Sequence, residues 1–229
     1  NAGTAITTGD NNTAIGKDSN AAITTGVNNT SIGINSGKTN VTGNYNTALG
    51  SLALEDNTGS NNVGVGHGAL RDNTSGSANT AVGTSVLDAN TTGDYNTAIG
   101  QDALGGNTTG GSNICVGNNA LDANTTGTGG TAVGYNALTS VTTGNNNTAV
   151  GKQSGETVST GIENTYLGAY SGNANTGSYN VGIGSSVLQV SGAGSYNTAV
   201  GNSALYAITS GVGNTGCGRS ALAANTTGG

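Results

Sequence analysis

Apolar and polar residues in this chain fall on a fixed beat rather than in blocks. The phrase Asn-Thr-small-aliphatic-Gly closes on Gly16, Gly33, Gly50, Gly66, Gly83, Gly100, Gly117, Gly134, Gly151, Gly168, Gly184, Gly201 and Gly218, at spacings of seventeen residues except for two of sixteen. A second glycine, usually in Thr-Thr-Gly, stands seven residues before each of these, from Gly9 to Gly211. A period below about twenty residues, rich in β-branched side chains and punctuated by Gly and Asn, signals one solenoid coil per repeat. Seventeen residues are too few for a helix-turn-helix unit or a propeller blade and suit a flattened coil of two short strands and two turns. The expected fold is therefore all-β, a parallel β-solenoid (β-roll) of about thirteen coils, with 1–229 as a single repeat domain uncapped at both ends. At an inter-strand distance of about 4.8 Å the stack would be a rod roughly 60 Å long, and the sixteen-residue units should shorten a turn without moving the strands.

The columns suggest which side chains face inward. Thr13, Thr30, Thr47, Val63, Thr80 and their equivalents exchange only β-branched residues, and two positions on stand Ile15, Ile32, Leu49, Val65, Val82 and theirs. Alternation puts both columns on one face, which is read as the core seam. A leucine column, Leu54 to Leu222, completes the core from the other half of the coil and lapses at Asn20, Gly37, Gly155 and Gly172, where the stack should be thinner or weaker. Between the two seam columns lies one of almost wholly small residues. Alternation turns it outward, so Ala14, Ala48, Ala81, Ala98, Ala132, Ala149 and Ala199 form a candidate self-packing face, with Tyr166 an obstacle at one coil. The Asn column before each threonine, Asn12 to Asn214, should stack its amides at a turn, since Asn satisfies local backbone groups and tolerates the left-handed conformation.

Composition narrows the function classes. The chain has no Phe, Trp, Met or Pro and only eight Tyr, so a conventional large-side-chain core is out of reach. Five basic and eleven acidic residues give a net charge of −6, thinly spread, with no basic footprint for nucleic acid. No apolar run approaches the length of a spanning helix, and a start at Asn1 rather than Met suggests a processed secreted protein or a piece of a longer one.

Catalytic and metal chemistry have little to work with. His67 is the sole histidine and reads as a solvated turn residue. Cys115 and Cys217 are six coils apart, far beyond disulfide reach, and read as packing substitutes. Asp88, Asp102 and Asp122 come one per coil, unlike the converging oxygens of a calcium roll, and Glu55 and Asp56 are adjacent and so a poor acid/base pair. Sequons such as Asn90-Thr91-Thr92 arise from the repeat itself. The expectation is a non-enzyme with no catalytic, cofactor or metal residues.

Units such as Thr131-Ala132-Val133-Gly134-Tyr135-Asn136-Ala137-Leu138, followed by Thr142-Thr143-Gly144 and Asn147-Thr148-Ala149-Val150-Gly151, resemble the repeats of bacteriophage tail fibres and secreted bacterial tail-fibre-like proteins. The likeness runs over essentially the whole chain. It implies a shaft, often trimeric, ahead of a self-releasing C-terminal chaperone, to which nothing in the chain corresponds. A looser resemblance links the small-aliphatic-Gly phrase to the heads of trimeric autotransporter adhesins, whose period is shorter. The leading expectation is a structural fibre or adhesin shaft, extracellular, on a cell surface or on a virion. Its partners would be itself, as homotrimer or end-to-end filament, and a cell-surface or glycan receptor. The alternative is an ice-binding or other flat-surface-binding solenoid, prompted by Thr7, Thr24, Thr74, Thr91, Thr108, Thr125, Thr142, Thr209 and Thr226, a rank interrupted by Val41, Asn57, Ser159, Asn175 and Gly192. A polysaccharide-degrading β-helix enzyme is the third class and lacks the clustered charges of a cleft.

Overall fold

A computed structural model describes residues 1–190 and 192–228. It divides into two compact units, Asn1–Asn113 and the segment from Ile114 onward. The first carries β1 (Thr13–Ile15), β2 (Thr30–Ile32), β3 (Thr47–Leu49), β4 (Val63–Val65), β5 (Thr80–Val82) and β6 (Thr97–Ile99). The second carries β7 (Ile114–Val116), β8 (Thr131–Val133), β9 (Thr148–Val150), β10 (Thr165–Leu167), β11 (Val181–Ile183), β12 (Thr198–Val200) and β13 (Thr215–Cys217). Within each unit every strand pairs in parallel with the next in the sequence, so each is a stack of β-solenoid coils with one strand per repeat. The sixteen-residue repeats keep strict register, Thr47 opposite Val63 and Thr165 opposite Val181, so the missing residue is taken from a turn as expected.

The second half of each coil is not a strand. Its residues alternate into the left-handed region, as at Leu52 (φ 61) and Leu54 (φ 52) or Ser85 (φ 52) and Leu87 (φ 52). A leucine there costs about 1–2 kcal/mol of backbone strain. Burial of the same side chain contributes about 1.5–3 kcal/mol, and Leu54, Leu70, Leu87, Leu104, Leu121, Leu138, Leu188 and Leu205 are all buried. The leucine column is thus core, except for Leu222, which is exposed.

The two faces of each strand are the reverse of the sequence expectation. Ala48, Ala81, Ala98, Ala132, Ala149 and Ala199 are buried inside the coil, so none of these six is available to pack against another molecule, and Ala14, in the first coil, is half-buried. The flanking columns, expected to form the core seam, face outward: Ile15 is 56% exposed, Leu49 46% and Ile114 48%. The physical reason is the narrowness of the coil. A Cβ added at Gly64, in the small column, would sit 3.0 Å from Ala69 O and 3.3 Å from Leu54 Cγ. Leucines projecting from the opposite half already fill the interior, and only a methyl-sized side chain fits beneath the strand.

Where the leucine column lapses, the small column compensates, and the coil is filled rather than thinned. Tyr166 is fully buried, and a Cβ added at Gly172 would meet its ring, with Cδ1 and Cζ both at 2.5 Å. The ring thus occupies the leucine site of that coil, and its hydroxyl donates to Asn164 Oδ1 at 3.3 Å. At the other lapse, Ser31 Oγ donates to Asn20 Oδ1 at 2.8 Å and Ser19 Oγ to Ser31 O at 2.8 Å, a buried polar cluster standing where leucine is absent.

Candidate interaction face

Each unit presents one strand face whose side chains stand in register from coil to coil. In the first unit its ranks are Thr13, Thr30, Thr47, Val63, Thr80 and Thr97 beside Ile15, Ile32, Leu49, Val65, Val82 and Ile99. In the second they are Ile114, Thr131, Thr148, Thr165, Val181, Thr198 and Thr215 beside Val116, Val133, Val150, Leu167, Ile183, Val200 and Cys217. The first rank is wholly β-branched and the second nearly so, which leaves each side chain close to one rotamer. Neither rank contains an ionisable residue other than Cys217.

The threonines on the two sides of the coil behave differently. On the turn side the hydroxyls of Thr7, Thr24, Thr74, Thr91, Thr125 and Thr142 each donate to the main-chain carbonyl of the next coil, at 2.8–3.3 Å. The shortened repeats place Thr58 and Thr176 in this rank, bonded to Thr74 O and Gly192 O, while Asn57 and Asn175 lie buried beside it. This rank, on which the flat-surface expectation rested, is a structural ladder with its donors already committed. The ten threonine hydroxyls of the strand face donate to no protein acceptor within the described residues.

What holds that face in register lies beneath and beside it. Asn79 Nδ2 donates to Gly93 O at 2.8 Å, and its Oδ1 accepts from the Asn96 backbone N–H at 2.9 Å. The same exchange recurs from Asn29 to Asn96 in the first unit and from Asn147 to Asn214 in the second, as the expected amide ladder. A second ladder that the sequence reading missed runs through Asn57, Asn73, Asn90 and Asn107, each bonded to its neighbour at 2.5–2.7 Å. The Asn of Asn-x-x-Gly, recurring three residues before the glycines at Gly43, Gly76, Gly93, Gly110 and Gly127, was the available signal.

Other chemistry-bearing residues do not converge. His67 is exposed at a turn. Lys38 pairs with Glu55 at 3.3 Å, and Arg71 pairs with Asp72 at 2.8 Å and reaches Asp88 at 3.6 Å. The guanidinium holds the Asp72 carboxyl below its ordinary value, whereas burial raises that of Asp88. Both cysteines are free: Cys217 is exposed, and Cys115 is buried, which pushes its thiol well up. Tyr179 and Tyr196 stack with centroids 4.8 Å apart on neighbouring coils. Among the described residues no group of His, Cys, Asp or Glu could hold a metal ion, no pocket opens, and no helix is long and apolar enough to cross a membrane.

No family model, curated protein or solved structure matches the chain.

Proposed function

We propose that this chain is a shaft segment: a non-enzymatic structural or adhesin fibre element acting outside the cytoplasm, on a cell surface or a virion. The supporting observation is the direction of its bonding. Strand pairing, both amide ladders and the turn threonines all link one coil to the next, sixteen or seventeen residues on. Such a stack lengthens repeat by repeat with no new design, because each coil meets only its neighbours. With the alanine ranks inside the coil, self-assembly through them is withdrawn, and the axial contacts are the ones that favour joining copies end to end. Light scattering on the purified chain tests this. Axial multimers that grow with concentration support the reading, and a strict monomer at every concentration would remove the filament from it.

A further inference from the structure

We propose that the strand face binds ice, a function of the shaft's side wall that does not depend on how shafts assemble. The face offers three properties together. Its threonine hydroxyls, such as Thr80, Thr97 and Thr148, have no protein acceptor, whereas the hydroxyls across the coil are engaged with carbonyls. Its aliphatic rank, including Ile99 and Val150, stands 39–40% exposed at those two coils and is locked by β-branching. Its ranks carry no lysine, arginine or carboxylate to disturb the water above them.

A charged ligand finds no complement on such a face. A second copy of the chain finds too little area: six and seven coils at ~4.8 Å, three residues or ~10 Å wide, give a footprint of roughly 300 Å² per unit and roughly 600 Å² for the two together. A standard interface takes about 800 Å² from each partner. Packing two such faces together would also bury threonine hydroxyls whose neighbours' carbonyls are used by the strand ladder, and an unmet buried donor costs about 1–3 kcal/mol. An extended lattice of water meets the face on its own terms. The methyl groups favour ordered water at a regularly spaced apolar surface. The hydroxyls recur in every coil except those of Val63, Ile114 and Val181 and anchor that water by hydrogen bonds, and the rigid side chains lose little freedom on adsorption. Affinity then scales with the number of coils, and no pocket is needed.

The test is thermal hysteresis and ice shaping by the intact chain. Thr80→Lys and Thr148→Lys place a long charge on the face of each unit, and Thr92→Lys places one at an exposed turn away from it. Hysteresis that rises with protein concentration, is largely lost in the double face variant and survives in the turn variant is the expected result. Circular dichroism confirms that each variant is folded. Absence of hysteresis in the unaltered protein at millimolar concentration overturns the proposal whatever the variants do. So does hysteresis that is unchanged by the face substitutions, or an oligomer that those same substitutions dissociate, since the face would then be covered by another copy.

Discussion

The pairing of Tyr166 with two missing leucines yields the sharpest energetic prediction. Tyr166→Ala empties the interior of its coil, because Gly155 and Gly172 supply no side chain to collapse into the space. Truncating a buried aromatic costs about 3–5 kcal/mol. Gly172→Leu alone drives a side chain into the tyrosine ring, an overpacking worth about 1–3 kcal/mol or more. Independent effects would sum to roughly 4–8 kcal/mol. The double variant instead exchanges the ring for one leucine of the kind the other coils carry, leaving Gly155 as the one lapse there, and leucine already adopts this left-handed conformation, as at Leu138 (φ 52). It should lie within about 1.5 kcal/mol of the unaltered protein, as volume-conserving swaps do. Urea unfolding of the four proteins closes the cycle, with amide exchange on β10 as a local readout, because coil stacks need not unfold in two states. Additive losses would show that the ring and the glycine do not share one space, and the account of how the coil is filled would be wrong.

Asn79→Ala strands the buried Asn96 N–H, while Gly93 O keeps the Asn90 amide at 3.0 Å, for a loss of about 1–3 kcal/mol. A loss no larger than that of Thr92→Ala would remove the ladder from the stability argument. With the protein folded, a thiol reagent should titrate Cys217 at once and Cys115 only in denaturant, since one is exposed and the other buried with its ionisation suppressed. Two fast thiols would contradict the buried small rank. Asp72 and Asp88 should respond to pH with opposite sign. The Asp72 pairing contributes fully above the ordinary aspartate value of 3.8 and is lost as pH falls through its depressed value, so Asp72→Asn weakens the protein at neutral pH and not in strong acid. Ionisation of Asp88 opposes folding as pH rises from 3.8 through its raised value, so Asp88→Asn strengthens the protein at neutral pH and changes nothing in strong acid. Matching pH profiles for the two variants would refute the assignment.

The period, the coil count, the leucine core, the shortened turns and the first amide ladder were legible in the sequence because each repeats as a column. The orientation of the strand was misread because β-branched and aliphatic residues normally mark a core. In this narrow coil the constraint on volume is the better guide. The Ala48 and Ala81 column admits little beyond a methyl, whereas the Leu49 and Val82 column drifts freely among Leu, Ile, Val and Cys. Two exceptions carried the answer in the sequence itself. Tyr166 coincides with Gly155 and Gly172, and Ser31 with Asn20 and Gly37. Each large or polar member of the small column is matched by a gap in the leucine column, which happens only if both face the same interior. The left-handed leucines were signalled only by their lapses, Asn20, Gly37, Gly155 and Gly172, since propensity favours Gly or Asn in that region and tertiary burial overrides it for leucine. The expected repeat domain, 1–229, includes one last residue, Gly229, that lies outside the described residues.

The claim on which the face-binding reading rests, and with it the withdrawal of alanine-mediated assembly, is the direction of the strand side chains. Thr97→Cys, Ala98→Cys and Ile99→Cys, each made with Cys115→Ala and Cys217→Val, place one thiol at three successive positions of β6. Labelling rates of the folded proteins measure which of them meets solvent. The account predicts fast modification at 97 and 99 and protection at 98 until the protein unfolds. Fast modification at 98 with protection on either side would return the alanine rank to the surface and contradict it.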